Sequence, residues 1–206
     1  MYARSTTFQA RARSMDAGID LLRAEVAPAV QAMPGCLGIS MMADRLSGRC
    51  IVTSSWDSMT DMRASDAAVA SMRTRAGVLL GGLPFVEEWE IAAMHRHHHC
   101  QQGACVRATW MHGAPADLER SIDVYRMVAM PAMESLDGFC SASLFVDRST
   151  GRAVLSATYD SPELMMATRD SARELRMRTA RDARVDILDV AEFDLLIAHL
   201  RVPEMA

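Results

Sequence analysis

The sequence predicts an α+β protein built from two βαββαβ units, and three observations lead there. The chain of 206 residues carries its own pattern twice, at a shift of 103 positions. Each copy parses into the same order of strands and helices. The central strands of each copy are apolar on both faces, so a sheet covered by two helices on one side still needs a second layer on the other. The repeat is read directly from matched residues. Pro28-Ala29 returns as Pro131-Ala132, and Gly35 as Gly138. Asp44-Arg45 and Gly48-Arg49 return as Asp147-Arg148 and Gly151-Arg152; Trp56-Asp57-Ser58 returns as Tyr159-Asp160-Ser161. Met62 returns as Met165, and Arg73 and Arg75 as Arg176 and Arg178. Near the end the register slips by one, so that Val86, Glu88 and Trp89 match Val190, Glu192 and Phe193. A period this long describes domain-sized units, not a solenoid. Residues 1–94 form the first unit, 95–103 a His-rich linker and 104–206 the second.

In the first copy, Thr6–Ala12 alternates as a strand. Ser14 is placed to cap a helix whose apolar stripe is Ile19, Leu22, Val26 and Val30. Pro28 is expected to bend or weaken the last turn of that helix, and Met33-Pro34-Gly35 ends it. Cys36–Ala43 and Arg49–Trp56 follow as strands, joined by a turn with Asp44 at its entry and Gly48 near its exit. Ser58 and Asp61 form a capping box opening a second helix over 58–75, and Phe85–Met94 is the fourth strand. The second copy predicts strands at 105–112, 139–146, 152–159 and 185–197, with helices at 116–134 and 161–180. Pro162 falls in a first helical turn, where its missing N–H is harmless. This order is the ferredoxin-like arrangement.

Composition excludes several function classes. Net charge is −4, so bulk nucleic-acid binding is not favoured. No apolar run approaches a membrane span, and the N-terminal residues lack the apolar core of a signal peptide; the expectation is a soluble, cytoplasmic protein. The chain has no Lys, which removes Schiff-base chemistry and the phosphate-loop lysine, so Gly77–Gly82 reads as a turn. Five Cys form no C-x-x-C pair and are not shared between copies, which suits a reducing compartment and small buried side chains.

Specific residues carry a family resemblance. Met33-Pro34-Gly35-Cys36-Leu37-Gly38 precedes and enters the second strand, Ser55-Trp56-Asp57-Ser58 enters the second helix, and Val86-Glu87-Glu88-Trp89-Glu90 lies in the fourth strand. The second copy has Leu136-Asp137-Gly138-Phe139, Thr158-Tyr159-Asp160-Ser161 and Val190-Ala191-Glu192-Phe193 at the matching places. On these residues each half resembles the antibiotic biosynthesis monooxygenase (ABM) domain of the dimeric α+β barrel superfamily. The resemblance implies two ferredoxin-like repeats forming an intramolecular dimeric α+β barrel, as a monomeric pseudo-dimer or a homodimer. It also implies a cofactor-independent monooxygenase acting on a small aromatic, quinol or polyketide-like substrate. Such chemistry needs an apolar pocket, a group that holds or deprotonates a phenol, and exclusion of water.

Candidate residues follow from that expectation. His112 is the acid–base candidate at a strand end, where its counterpart Gln9 has no proton chemistry near neutral pH. Tyr159 would hold a phenolic ligand, whereas Trp56 at the matching place offers only a donor. Pocket walls would come from Trp110, Phe145, Met165 and Phe193, with Trp56 and Trp89 in the first half beside Phe8, Met41 and Met62. The same residues at the same spacing also describe an ordinary core. The scarcity of ionisable residues at interior-looking positions supports the other reading, a non-catalytic barrel binding a small hydrophobic ligand or serving as a structural module.

Other clusters read as structural. The haem-degrading branch of the family needs Asn in its first strand with Trp and His on its second helix; the chain contains no Asn, and neither second helix holds Trp or His. No cofactor is expected. His95–Cys100 is a strip of consecutive ligands that cannot all face one ion, so no metal site is assigned there. Arg169, Arg173 and Arg176 read as a solvated helix face, and Arg11 and Arg13 as cross-strand partners of Glu88 and Glu90.

Overall fold

A computed structural model describes residues 1–100 and 102–200 of the chain. The first series of elements is β1 (Tyr2–Gln9), α1 (Met15–Leu21), α2 (Ala27–Gln31), β2 (Cys36–Ala43), β3 (Arg49–Trp56), α3 (Met59–Ala64), α4 (Asp66–Leu80) and β4 (Phe85–Arg96). The second is β5 (Cys105–Gly113), α5 (Leu118–Val124), α6 (Met130–Met133), β6 (Phe139–Asp147), β7 (Arg152–Tyr159), α7 (Pro162–Ala167), α8 (Arg169–Ala183) and β8 (Val185–Leu200). Among the described residues the strands form one closed barrel in the order β1-β3-β2-β8-β5-β7-β6-β4, as the α+β reading requires. Among the described residues no helix is long and apolar enough to cross a membrane.

The repeat shows in strand registers. Tyr2 lies opposite Trp56 and Gln9 opposite Arg49, just as Cys105 lies opposite Tyr159 and His112 opposite Arg152. Both copies bulge at the start of the hairpin that joins their second and third strands, at Leu37 and at Cys140. The slip in sequence register has a physical site as well. Trp110 pairs with Asp189 but Met111 with Ile187, so Leu188 is an extra residue in β8. A bulge absorbs an insertion of this kind without displacing the strand.

Several boundaries differ from the sequence expectation. β1 begins at Tyr2, not Thr6, and ends before Arg11. Arg11 and Arg13 therefore do not face Glu88 and Glu90: Glu88 pairs with Arg4, and Glu90 with Arg148. Ser14 lies inside a 3-10 turn and makes no side-chain cap, because its backbone is already helical. Pro28 does not weaken a last turn. A five-residue π-turn, Leu22–Val26, precedes it, and the helix resumes with Pro28 in the first turn of α2. Proline lacks the donor for the i−4 carbonyl and crowds it; widening the turn removes the clash. The second copy does the same with Tyr125–Ala129 ahead of Pro131. The second helices both break once, at Ser65 and at Thr168.

The predicted caps form. Ser58 Oγ accepts from the Asp61 amide at 3.0 Å and donates to its carboxylate at 2.6 Å; Ser161 Oγ accepts from the Leu164 amide at 3.3 Å. Gly81, with φ of 85°, closes α4 in the left-handed conformation, and its amide bonds Gly77 O at 2.8 Å. Gly77–Gly82 is thus a helix end and turn.

The chain divides into two compact units. One holds Met1–Trp89 and takes the end of β8 from Leu195 onward; the other holds Glu90–Asp194. The first unit's core includes Phe8, Met15, Leu22, Met41, Trp56 and Leu80, and Ile197 packs into it. The second unit's core includes Met111, Ile122, Tyr125, Phe139, Leu144 and Leu175, joined by Ala92 and Ala93. Boundaries drawn at 94 and 104 follow the repeat along the chain, whereas the compact units follow its hydrogen bonds; the two divisions part within β4 and β8.

Candidate functional site

Each unit has a cleft between its sheet and its helices, and the two clefts are lined by matching residues. In the second unit the polar lining is Arg107 and Thr109 from β5, Tyr125, Tyr159 from β7, and Arg176 and Thr179 from α8. In the first unit Arg4, Thr6, Leu22 and Arg73 stand at the corresponding places. The remaining walls of the second cleft are aliphatic or Met, and the cavity between them is about 30 Å³, room for one or two waters. Apolar walls with a few convergent polar groups have the character of a small-molecule site, and a ligand larger than water enters by parting them.

Alternation along β5 builds this geometry. Arg107, Thr109 and Met111 point under the helices, and Val106, Ala108 and Trp110 to the other face. Arg107 is 4% exposed. Its Nε and Nη2 donate to Glu192 Oε1 at 3.0 and 2.9 Å, and Nη2 also donates to the Met165 carbonyl at 2.9 Å. Arg4 repeats the arrangement, with Glu88 at 3.1 Å and the Met62 carbonyl at 2.8 Å. Burial works against the charge of Glu192, yet the hydrogen bonds from Arg107 and Arg169 outweigh it and hold its carboxyl below the usual range.

The polar groups facing the cleft are incompletely satisfied. Arg107 Nη1 and Thr179 Oγ1 are buried without a hydrogen-bond partner in the second unit, as are Arg4 Nε and Arg73 Nη1 in the first. Buried polar atoms normally have partners, because an orphan costs about 1–3 kcal/mol. The guanidinium carbon of Arg107 sits 5.4 Å from the centre of the Tyr159 ring. Burial raises the Tyr159 phenol above its ordinary value, and the Arg107 charge offsets this in part.

The two clefts differ in one charge. In the first, Arg73 is neutralised by Asp66 at 2.8 Å. The residue matching Asp66 is Arg169, which turns to Glu192 at 2.8 Å. Arg176 is left half-buried with no carboxylate in ion-pairing distance among the described residues. Burial, then the like charge of Arg107, pulls its guanidinium below the ordinary value, though it stays charged near neutral pH. The second cleft thus holds an uncompensated cation over an apolar floor.

The sequence candidates fall into three groups. Tyr159 lines the cleft. Trp56 and Met165 are core neighbours: Trp56 Nε1 donates to Ser54 Oγ at 2.9 Å, and Met165 offers its carbonyl to Arg107. Trp110, Phe145, Phe193 and Trp89 do not line either cleft. Trp110 and Phe193 meet edge to face at 6.3 Å, and Trp89 Nε1 donates to Ser5 Oγ at 2.9 Å. His112 is exposed on the face of β5 shared with Trp110, so the structure does not place it as a base for this cleft. The reason is parity: an even-numbered residue of β5 cannot join Arg107 and Thr109. Arg176, read from sequence as a solvated face, is a lining residue. The missed signal was present in the repeat, since Arg4, Thr6 and Arg73 recur as Arg107, Thr109 and Arg176.

Barrel and clefts together define an eight-stranded α+β barrel with narrow apolar clefts that hold buried cations under its helices. A family model for antibiotic biosynthesis monooxygenase matches residues 1–75. The uncharacterized proteins Rv2558 and Rv2557 of Mycobacterium tuberculosis H37Rv are each 52% identical over 206 residues, covering 100% of this chain and 87% and 92% of their own. Among solved structures, an anthrone oxidase-like protein superposes with a TM-score of 0.67 at 14% identity, over 100% of this chain and 95% of its own. The monooxygenase-like protein LIN2316 of Listeria innocua gives 0.54 at 9% identity, over 95% and 94%. LmHde, a heme-degrading enzyme of Listeria monocytogenes, gives 0.54 at 8%, over 94% and 99%. At these identities the structural likeness speaks for the fold alone. Residues 1–75 match the antibiotic biosynthesis monooxygenase domain, and over its full length the chain belongs to one family with Rv2558 and Rv2557.

Proposed function

We propose that the second cleft binds a small aromatic molecule with an acidic hydroxyl, a phenol, quinol or anthrone-type enol, and that the bound anion reacts with molecular oxygen without metal or flavin. The observation that carries this reading is the uncompensated Arg176 beside the buried Arg107. A ligand anion would pair with Arg176 and reach the orphaned Nη1 of Arg107 and Oγ1 of Thr179. Among the described residues no carboxylate, imidazole or thiol lines this cleft. Ionisation is therefore driven by electrostatic stabilisation of the anion, not by a side-chain base. For an anthrone, the ring CH₂ becomes C=O: one oxygen atom enters the ring, and the other leaves as water with the two hydrogens of that carbon. The apolar walls keep bulk water from the anion while it reacts.

The missing base also favours a second reading, a barrel that binds such an anion without turning it over. Oxygen uptake by the chelator-treated chain over a panel of hydroquinones and anthrones separates the two. The oxygenase reading expects uptake that falls at least roughly tenfold in Arg176→Met and stays within about twofold in Arg73→Met. Binding by calorimetry without uptake would leave only the second reading. Equal binding by the wild type and Arg176→Met would remove both.

A further inference from the structure

A different group of side chains gathers where the linker meets the second unit. His98 Nε2 lies 3.0 Å from each carboxylate oxygen of Asp160, and Cys140 Sγ lies 3.1 Å from Asp160 Oδ1. The three ligand atoms all fall within 4.8 Å of one another. The backbone prepares this cluster. The amides of His97 and His98 bond the Cys140 carbonyl at 2.8 and 3.2 Å, which ties the linker to β6. The Asp160 amide bonds Gly138 O at 2.8 Å. Cys140 is the bulged residue of its hairpin, a position where strands re-aim a side chain.

We propose that His98, Cys140 and Asp160 bind a divalent transition metal of the zinc class, with solvent as the fourth donor. Tetrahedral zinc holds N, O and S ligands at about 2.0–2.3 Å, which sets ligand atoms roughly 3.3–3.8 Å apart. The hydrogen-bonded contacts of 3.0 and 3.1 Å need to open by less than about 1 Å to admit the ion. Imidazole and thiolate donors select zinc over magnesium or calcium. On binding, the Cys140 thiol releases its proton to solvent and no electrons move. Cys140 is fully buried, while the side chains of His98 and Asp160 are 38% and 26% exposed, so the ion enters from the solvent side.

The repeat supports a dedicated site. Asp57 holds the matching place in the first copy, with the same backbone bond to Gly35 O at 2.9 Å, but the matching bulge residue is Leu37 and no His strip follows. Only the second copy combines the shared aspartate with a thiol and an imidazole. The proposal also explains why a strip of neighbouring histidines need not converge on one ion. One of them contributes, and its partners come from residues 140 and 160.

Cobalt(II) titration of the reduced, chelator-stripped full chain tests this. One equivalent should produce thiolate-to-cobalt charge-transfer absorption with the strong visible bands of a tetrahedral site, and zinc(II) should bleach both. His98→Ala and Asp160→Asn should each weaken binding more than about tenfold, and Cys140→Ser should abolish the charge-transfer band. The double variant His97→Ala/His99→Ala should bind within about twofold of wild type, since neither residue is a ligand. The two partly exposed positions keep the test valid should Cys140→Ser fail to fold. Absence of the charge-transfer band overturns the site. So does binding that survives His98→Ala but is lost with His97 and His99, which would show adventitious capture by the strip.

Discussion

Arg107 illustrates what single residues do here. Its burial is tolerated because Glu192 takes two of its donors and the Met165 carbonyl a third contact. Removing one partner of a buried pair leaves a charge that water cannot reach, so Glu192→Gln should destabilise the chain by about 1–3 kcal/mol in urea unfolding. The lower half of that range is expected, since the Glu192 side chain is 32% exposed. The sign with pH follows from the shift. The folded carboxyl lies below its ordinary value of 4.5, so the pair contributes fully above that pH and its contribution is lost as pH falls through the lower folded value. The difference between wild type and Glu192→Gln should therefore shrink below about pH 4.5. A difference that grows on acidification would contradict the assignment. A second single-residue prediction concerns Arg184, which closes α8 with φ of 55° where the first copy has Gly81. Left-handed backbone costs a residue with a Cβ roughly 1 kcal/mol, so Arg184→Gly should raise stability in urea unfolding by up to about that amount. Much at this scale was legible. Arg107, Arg176 and the Asp66-to-Arg169 reversal are all visible in the aligned copies. What pattern alone does not show is parity, and His112 falls one residue out of step with the cleft.

At the scale of elements, the two copies solve one packing problem in opposite ways. A Cβ on Gly18 of α1 would fall inside the Leu80 side chain of α4. The matching positions in the second copy are Ser121 and Ala183: the small residue has grown and the large one has shrunk. Ser121 Oγ then uses the space to share its one proton between the Ala183 carbonyl at 2.8 Å and the Asp117 carbonyl at 3.0 Å. Gly18→Ser alone should cost about 1–3 kcal/mol by overpacking, and Leu80→Ala alone about 2–5 kcal/mol by opening a cavity. The double variant should cost clearly less than the sum, with a coupling of at least roughly 1 kcal/mol measured by a double-mutant cycle. Additive costs would show that the helices do not meet at this point. Elements of this kind were largely predictable: β2, β3 and β7 lie at their expected residues, and Ser58 and Ser161 cap as expected. The π-turns were not, because proline in a helical stripe signals a defect without saying how the backbone absorbs it. The breaks at Ser65 and Thr168 left no Pro or Gly to mark them.

The whole molecule is governed by a mismatch between where the chain repeats and where it pairs. β4 begins in the first compact unit, but from Glu90 it pairs with β6, and its Ala92 and Ala93 enter the second core. β8 pairs with β5 as far as Asp194 and then delivers Ile197 to the first core. Hydrophobic period identifies both strands but not their neighbours, which is why a cut at 94 and 104 looked natural in sequence. The consequence for stability is specific. A fragment of residues 1–94 keeps its helices but loses the strand end that covers its core, and exposes the part of β4 meant for β6. A fragment of residues 104–206 has the complementary lack. Each should be poorly folded as a monomer, because an uncovered core and an unpaired strand edge are both costly. The intact chain should unfold in urea as one transition, with far-UV circular dichroism and tryptophan fluorescence coinciding. Mixing the two fragments should restore native-like hydrogen-exchange protection in β4 and β8 that neither shows alone. Two separate transitions, or a 1–94 fragment that is monomeric and protected on its own, would mean that each repeat completes its own core and that the exchange of strand ends contributes little.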